Sequence, residues 1–304
     1  MAAPSYLGLH ESGELRRRAD VALASLQSCV CCPHECAVDR LRGEKGVCGI
    51  GRHAMVSSYG PHFGEERPLV GRHGSGTVFF SGCNMDCDYC QNHDVSHGLE
   101  GVVMDPRRLA DIMLHLQGMG CHNINLVSPS HVIPQILEAL DLAAGDGLRL
   151  PLVYNSGGYD GLGSLHLLDG IIDIYMPDAK YDDEEVAERL SHVKGYPHVM
   201  RAALREMHRQ VGDLVIEGGV AVRGLIIRHL VLPDRLAGTE GIMSFIAEEL
   251  SPQSYVNIMD QYRPEHRVLH STAGRHIPLR RRIRREEMMD AQRAAAHHGI
   301  VIKR

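Results

Sequence analysis

From residue 76 onward the chain alternates between short, nearly continuous apolar runs and stretches in which apolar residues recur every three or four positions. These are the signatures of buried strands and amphipathic helices. Strands are predicted over 76–82 (GTVFFSG), 122–128 (HNINLVS), 150–155 (LPLVYN), 170–176 (GIIDIYM), 222–232 (VRGLIIRHLVL) and 254–260 (SYVNIMD). Helices are predicted over 106–120, 130–147, 182–193, 238–250 and 284–299. The first places Leu109, Ile112, Met113 and Leu116 on one face and stops at Gly118 and Gly120. The helix over 182–193 opens with acidic residues, as a first turn prefers. Residues 1–70 read differently. They are rich in Cys, Gly and His and carry one helical pattern, Glu14–Leu26, with Leu15, Ala19, Ala22, Leu23 and Leu26 on one face. The expected organisation is a loop-rich, Cys-rich extension over 1–70 and an α/β domain over 71–304.

Six strands separated by helices argue for a parallel sheet with helices outside. Strands without strict alternation suit burial on both faces. A doubly wound open sheet and a partial or full (β/α) barrel both fit that order. Polar residues at successive strand ends favour the barrel: Ser81–Cys83, Ser128–His131, Asn155–Gly158, Asp178–Lys180, Arg228–His229 and Asp260–Arg263. In barrels the site is built from the C-terminal ends of several strands.

Composition narrows the function classes. The chain has 304 residues, 44% hydrophobic and 23% charged, the profile of a soluble globular protein. A formal net charge of −6 gives no reason to expect nucleic-acid binding. No apolar run of about 18 residues points to a membrane span, and the first twenty residues are too polar for a secretory signal. The cytoplasm is therefore the expected compartment, where cysteines stay reduced. Eight of the nine cysteines fall before residue 91, in two clusters, which points to metal.

The first cluster to consider is SGCNMDCDYCQNHD, residues 81–94, with Cys83, Cys87 and Cys90 just past a strand. Thiolate-rich sites select zinc or iron–sulfur clusters. A structural zinc would need a fourth ligand, with His93 or His97 as candidates. A [4Fe–4S] cluster held by three thiolates leaves one iron open. The pattern C-x3-C-x-aromatic-C, with Tyr89 before Cys90, resembles the signature of radical S-adenosylmethionine enzymes. That resemblance implies a partial (β/α)6 barrel. It also implies that S-adenosylmethionine binds the open iron and is cleaved to a 5′-deoxyadenosyl radical.

The likeness extends over most of the chain. The stretches GCNMDCDYCQN, YNSGGY, IYMPDAKY, RHLVLP and MDQYRP are similar to proteins related to pyruvate formate-lyase activating enzymes. It implies cofactor contacts for Asp178 and Lys180, which match an Asp-x-Lys motif, for Arg228 on the fifth strand, for Asn155 and Ser156, and for Asn92 beside the cluster. Activating enzymes carry a Gly-Gly-Glu stretch after the second strand. Here NLVSPSH, 125–131, stands in its place, so Ser128, Ser130 and Asn125 are the candidates to hold the methionyl ammonium. The implied activity is hydrogen abstraction from a glycyl residue of a partner enzyme, or alternatively modification of a small molecule or peptide. A one-electron donor such as a flavodoxin or ferredoxin is the implied partner.

The second cluster, CVCCPHECAVDRLRGEKGVC, offers Cys29, Cys32, Cys36 and Cys48 as four ligands and leaves Cys31 spare. Closure by four thiolates suits either zinc or an auxiliary [4Fe–4S] cluster. A non-catalytic, zinc-stabilised binding protein is the competing class. Cys121 reads as a small buried residue, and His229, opposite in facing to Arg228, as a satisfied core histidine. Tyr262, Gln261 and His266 follow the last strand as possible borders of the site. The basic run over 274–287 reads as a solvated helix face or a dock for an acidic electron donor.

Overall fold

The computed structural model describes residues 3–302. Nine strands form one sheet: β1 Ala54–His62, β2 Ser75–Phe80, β3 Val102–Met104, β4 Ile124–Val127, β5 Leu152–Ser156, β6 Ile174–Pro177, β7 Val215–Glu217, β8 Val220–Leu230 and β9 Tyr255–Met259. The helices are α1 Tyr6–Glu11, α2 Glu14–Ala24, the single turns α3 Arg67–Val70 and α4 His93–Ser96, then α5 Pro106–Gly118, α6 Ile133–Gly145, α7 Leu162–Leu167, α8 Glu184–Ser191, α9 Tyr196–Val211, α10 Thr239–Phe245, the turn α11 Arg267–His270 and α12 Arg285–His297.

Six strands run parallel in the order β2-β4-β5-β6-β8-β9, each beside its predecessor among them. That sequential order decides between the two architectures, because a doubly wound sheet reverses its strand order at a switch point. The expected α/β class, a partial (β/α)6 barrel, is what the structure shows. It does not close, because the free edge of β2 pairs antiparallel with β1, which in turn pairs with β3. Strand β1 lies within the Cys-rich region, and α2 packs along α6, so Tyr6, Leu15, Ala19, Ala22, Ile50, Ala54 and Val56 join the main core, while Leu26, Cys29 and Cys31 form a small cluster of their own.

Each crossover helix turns an apolar stripe to the sheet. In α5 that stripe is Leu109, Ile112, Met113 and Leu116, all buried, worth roughly 1.5–3 kcal/mol per side chain. Asp105 caps the helix by accepting from Arg108 N, and Pro106 sits where its missing N–H costs nothing. Asp183 caps α8 in the same way through Val186 N.

The inner face of the half-barrel is apolar at its base. Val153, Ile174, Met176, Ile226 and Tyr255 meet there with Leu69 and Ala221. Two residues farther along four of these strands, on the same face, stand Asn155, Asp178, Arg228 and Asn257. The strand period of two therefore stacks a polar layer directly on the apolar plug. No described helix is long and apolar enough to cross a membrane.

Candidate active site

The three-cysteine loop begins where β2 ends. Gly82 makes the turn at φ +80°, and a Cβ there would lie 2.6 Å from Cys48 O, so only glycine fits. Met85 N–H donates to Cys83 Sγ at 3.3 Å, Ser191 Oγ to Cys87 Sγ at 3.0 Å, and Ser96 Oγ lies 3.2 Å from Cys90 Sγ. Burial pushes the Cys83 thiol up to about 12 and the Cys87 thiol up to about 11, while the nearby Lys180 ammonium pulls against it. Sulfurs in such surroundings ionise when they share a metal, and the hydrogen bonds to Cys83 and Cys87 already favour their anionic form.

The loop is anchored by a residue that the motif leaves unspecified. Asp88, fully buried, accepts from His276 Nε2 at 2.7 Å, His192 Nε2 at 2.9 Å, Arg267 Nη1 at 3.1 Å and Arg275 Nε at 3.3 Å. Burial opposes its ionisation, but the bonds from His276, His192 and Arg267 outweigh that and hold the carboxyl down at about 2. Backbone bonds from Asp86 N to Ser191 O and from Asp88 N to Leu190 O tie the same segment to the end of α8. Tyr89 is buried and packs edge-on against Tyr262 at 5.7 Å. Its hydroxyl meets that of Tyr181 at 2.5 Å, and Tyr181 meets Ser191 at 2.7 Å, completing a path to Cys87.

Beside the loop, the strand ends carry an ionic network. Lys180 Nζ donates to Asp178 Oδ2 at 2.6 Å, Arg228 Nε to Asp178 Oδ1 at 2.8 Å, and Arg228 Nη2 to Asn155 Oδ1 at 2.6 Å. Burial disfavours every charge here, yet the two cations hold Asp178 below the ordinary carboxylate range and Asp178 holds Lys180 above the ordinary amine range. Tyr196 OH is placed between Gly157 O at 2.9 Å and Asp178 O at 3.1 Å and accepts from Lys180 N, locking the backbone of both strand ends. Gly157 lies against the cysteine loop, since a Cβ would sit 2.7 Å from Met85 Sδ. Asn155, Asp178, Lys180 and Arg228 are thus brought together.

The remaining candidates divide. Asn92 and Ser128 line one cleft of about 230 Å³ with Phe79, Phe80 and Val95. Ser130 and Ser156 instead donate to the buried carboxylate of Asp160, at 2.5 and 2.6 Å, joined by Tyr154 OH at 2.7 Å. These bonds fix the loops after β4 and β5. Asn125 is fully buried in β4 with neither side-chain polar atom partnered. A second cleft, about 260 Å³, runs past Arg228 to Glu65, Glu66 and Asn257. Another cleft, about 640 Å³, lies between α10 and α12 and contains none of the candidate residues.

The residues named around the motif are placed as follows. His93 and His97 stack on His266, at 4.7 and 5.3 Å between ring centres, and His97 faces Asp86 at 3.3 Å. Tyr262 is buried with its hydroxyl on Leu279 O. His229 is a satisfied core histidine, bonded to Ala179 O and Thr239 Oγ1. Arg275 and Arg281 of the basic run face acidic partners, Asp88 for one and Asp234 and Glu287 for the other. Cys29, Cys32, Cys36 and Cys48 gather, with Cys31, in one pocket behind the loop.

No family model matches the chain. The uncharacterized protein MJ0674 of Methanocaldococcus jannaschii is 32% identical over 291 residues, 93% of this chain and 78% of that protein. Among solved structures, a radical SAM methyltransferase from Sphaerobacter thermophilus overlaps 75% of this chain and 65% of its own, with a TM-score of 0.48 and 14% identity. The FeFe-hydrogenase maturase HydG from Carboxydothermus hydrogenoformans overlaps 73% of this chain and 52% of its own, with a TM-score of 0.47 and 14% identity. TYW1 with a bound lysine-pyruvate adduct overlaps 73% of each chain, with a TM-score of 0.44 and 10% identity. The chain therefore spans less than two thirds of the first two structures. Likenesses this distant leave function to the residues themselves.

Proposed function

The chain belongs to the family of the uncharacterized Methanocaldococcus jannaschii protein MJ0674, and from that premise we propose that it is a radical S-adenosylmethionine enzyme. One observation carries the reading. Cys83, Cys87 and Cys90 sit on a single loop at the C-terminal mouth of six sequential parallel strands, beside the buried Lys180–Asp178–Arg228–Asn155 network.

The residues fit the group. Three soft ligands, with an N–H donor to the Cys83 sulfur and an O–H donor to the Cys87 sulfur, suit an iron–sulfur cluster that keeps one iron free for a chelating cofactor. The chemistry so supplied is reductive cleavage of S-adenosylmethionine to a 5′-deoxyadenosyl radical, which takes a hydrogen atom from substrate. The protein's part is positioning. Lys180 and Arg228, each stabilised as a cation by Asp178, offer donors to the cofactor's carboxylate and hydroxyls. Asn92 and Ser128 line the adjoining cleft and are further candidates for its polar groups. Asp88 and Ser191 hold the cysteine loop, so the sulfurs are preorganised when metal enters.

The finer reading is an activase that acts on a glycyl residue of a partner protein and takes its electron from a flavodoxin or ferredoxin. The Asp178-x-Lys180 pair and Arg228 support it, because activating enzymes place those residue types there. Anaerobic reconstitution with iron, sulfide, a strong reductant and S-adenosylmethionine tests the class. Production of 5′-deoxyadenosine and methionine is expected, and Cys87→Ala abolishes it. A reconstituted protein that carries iron on the three-cysteine loop yet forms neither product refutes the reading. A glycyl-radical signal on adding a partner enzyme then tests the activase role.

A further inference from the structure

Behind the three-cysteine loop, Cys29, Cys31, Cys32, Cys36 and Cys48 line one small pocket together with Arg40 and His131. Arg40 is fully buried. Its Nε donates to Gly51 O at 3.1 Å and its Nη1 to His131 O at 2.9 Å, with Cys29 Sγ and Cys31 Sγ at 3.6 and 4.0 Å. Its Nη2 is buried with no hydrogen-bond partner. Its only protein partners among the described residues are these carbonyls and sulfurs, none of them a carboxylate. A guanidinium stays charged in a protein, and a buried charge needs a compensating one. Glu35, the carboxylate that also lines the pocket, is exposed and is not among the groups bonded to Arg40. Of the groups that do touch Arg40 only sulfur can supply the charge, and buried sulfur becomes anionic when it binds metal.

We propose that this pocket is a second thiolate metal centre, in which Cys29, Cys32, Cys36 and Cys48 bind the metal and Arg40 is the buried counter-cation. It stands on residues that the three-cysteine site does not use. Four thiolates around Zn²⁺, or around a [4Fe–4S]²⁺ cluster, leave the same charge of minus two, so the role of Arg40 does not depend on which metal binds.

The backbone is shaped for it. Cys29 and Val38 pair as in a hairpin, Cys29 N to Val38 O and Ala37 N to Cys29 O, while Glu35 N closes a turn on Cys32 O. Glu35 and Ala37 both adopt the left-handed conformation, φ +41° and +53°, on either side of Cys36. Non-glycine residues adopt it at a cost, and such strain concentrates at ligand-holding turns. Gly46 passes so close that a Cβ would sit 2.7 Å from Cys36 Sγ. All five cysteines line the pocket. The spacing Cys29-x2-Cys32-x3-Cys36-x11-Cys48 takes four of them as the ligands and leaves Cys31 beside them.

The centre also braces the catalytic loop. His131, which accepts from Arg40 through its carbonyl, donates from Nε2 to Ser81 O at 3.0 Å. His34, between Cys32 and Cys36, donates to Asn84 O at 2.7 Å inside the three-cysteine loop. Gly82 packs directly on the Cys48 carbonyl.

The test uses the full chain with Cys83, Cys87 and Cys90 all changed to Ala, purified without oxygen and assayed by elemental analysis. About one zinc or about four iron atoms per chain are expected, with visible absorption telling the two apart. Adding Cys32→Ser and Cys36→Ser removes that metal, and Cys31→Ser leaves it. Arg40→Met releases it to a chelator about 10-fold faster, the size of effect seen when a metal site loses a supporting partner, and Arg40→Lys recovers part of the difference. A metal-free parent, metal retained without Cys32 and Cys36, or an unchanged release rate in Arg40→Met overturns the proposal. The unmutated chain gives a measure free of any folding risk. Metal beyond one four-iron cluster supports the centre, and about four iron atoms with no zinc overturns it when the triple-Ala parent is metal-free. Because the parent lacks the three loop cysteines, a failed radical reading and a failed second centre give different results.

Discussion

Replacing Asp88 by Asn keeps the shape of a fully buried side chain and removes the charge that four basic groups converge on. Its carboxyl is held at about 2, against an ordinary value of 3.8. At about 1.4 kcal/mol per pKa unit, that difference is worth about 2.5 kcal/mol. Breaking a buried pair by removing one partner costs about 3–5 kcal/mol, but Asn still accepts one hydrogen bond. The expected loss is therefore about 2–4 kcal/mol, a fall in melting temperature of about 3–6 °C for a chain of this size. The sign with pH follows from linkage. A carboxylate with a depressed folded pKa contributes fully above its unfolded value and loses that contribution as pH falls through the folded one. The gap between wild type and Asp88→Asn should be complete at pH 6 and narrow between about pH 4 and pH 2. Urea titrations at both ends of that range measure it. Because Asp88 lies between Cys87 and Tyr89, the variant should also take up less iron during reconstitution. A gap below about 1 kcal/mol at pH 6, near the value of an ordinary hydrogen bond, or one that does not narrow in acid, refutes this account of the loop.

Gly158→Ala puts a Cβ 2.2 Å from Asp178 O at φ +76°, so the end of β6 must move. A destabilisation of at least about 2 kcal/mol and weaker S-adenosylmethionine binding are expected by calorimetry, whereas Gly163→Ala, with open space around it, should change neither. Ser191→Ala removes the donor to Cys87 Sγ and the bond to Tyr181. It should cost about 1 kcal/mol and lower the potential of a cluster on the loop, read by a redox titration followed by electron paramagnetic resonance.

Much of the fold was legible along the chain because burial on both faces leaves plain apolar runs. The helices expected over 106–120 and 130–147 are found as Pro106–Gly118 and Ile133–Gly145, and the strand expected over 222–232 is Val220–Leu230. Helix α9 was missed although Tyr196, Met200, Ala203, Leu204, Met207 and Val211 recur at helical spacing behind Pro197. The signal was present there. The Gly218-Gly219 pair between β7 and β8 is likewise a recognisable hairpin turn. Strand β1 was not legible, because Ser57, Ser58, Gly60 and Pro61 contradict strand propensity and only pairing with β2 and β3 holds them extended.

The same division runs through the candidate site. Local spacing alone grouped Cys83, Cys87 and Cys90 and marked Asp178, Lys180 and Arg228 as polar residues at strand ends. No local pattern shows that Arg228 donates to Asp178 and Asn155, since those contacts follow from the register of three strands far apart in the chain. Nor does it show that Ser130 and Ser156 turn away to Asp160, or that Asp88 gathers residues from α8 and from 267–276. Periodicity is a property of neighbours and survives in one dimension. The neutralisation of a buried charge depends on what arrives from elsewhere, and only the folded chain decides that.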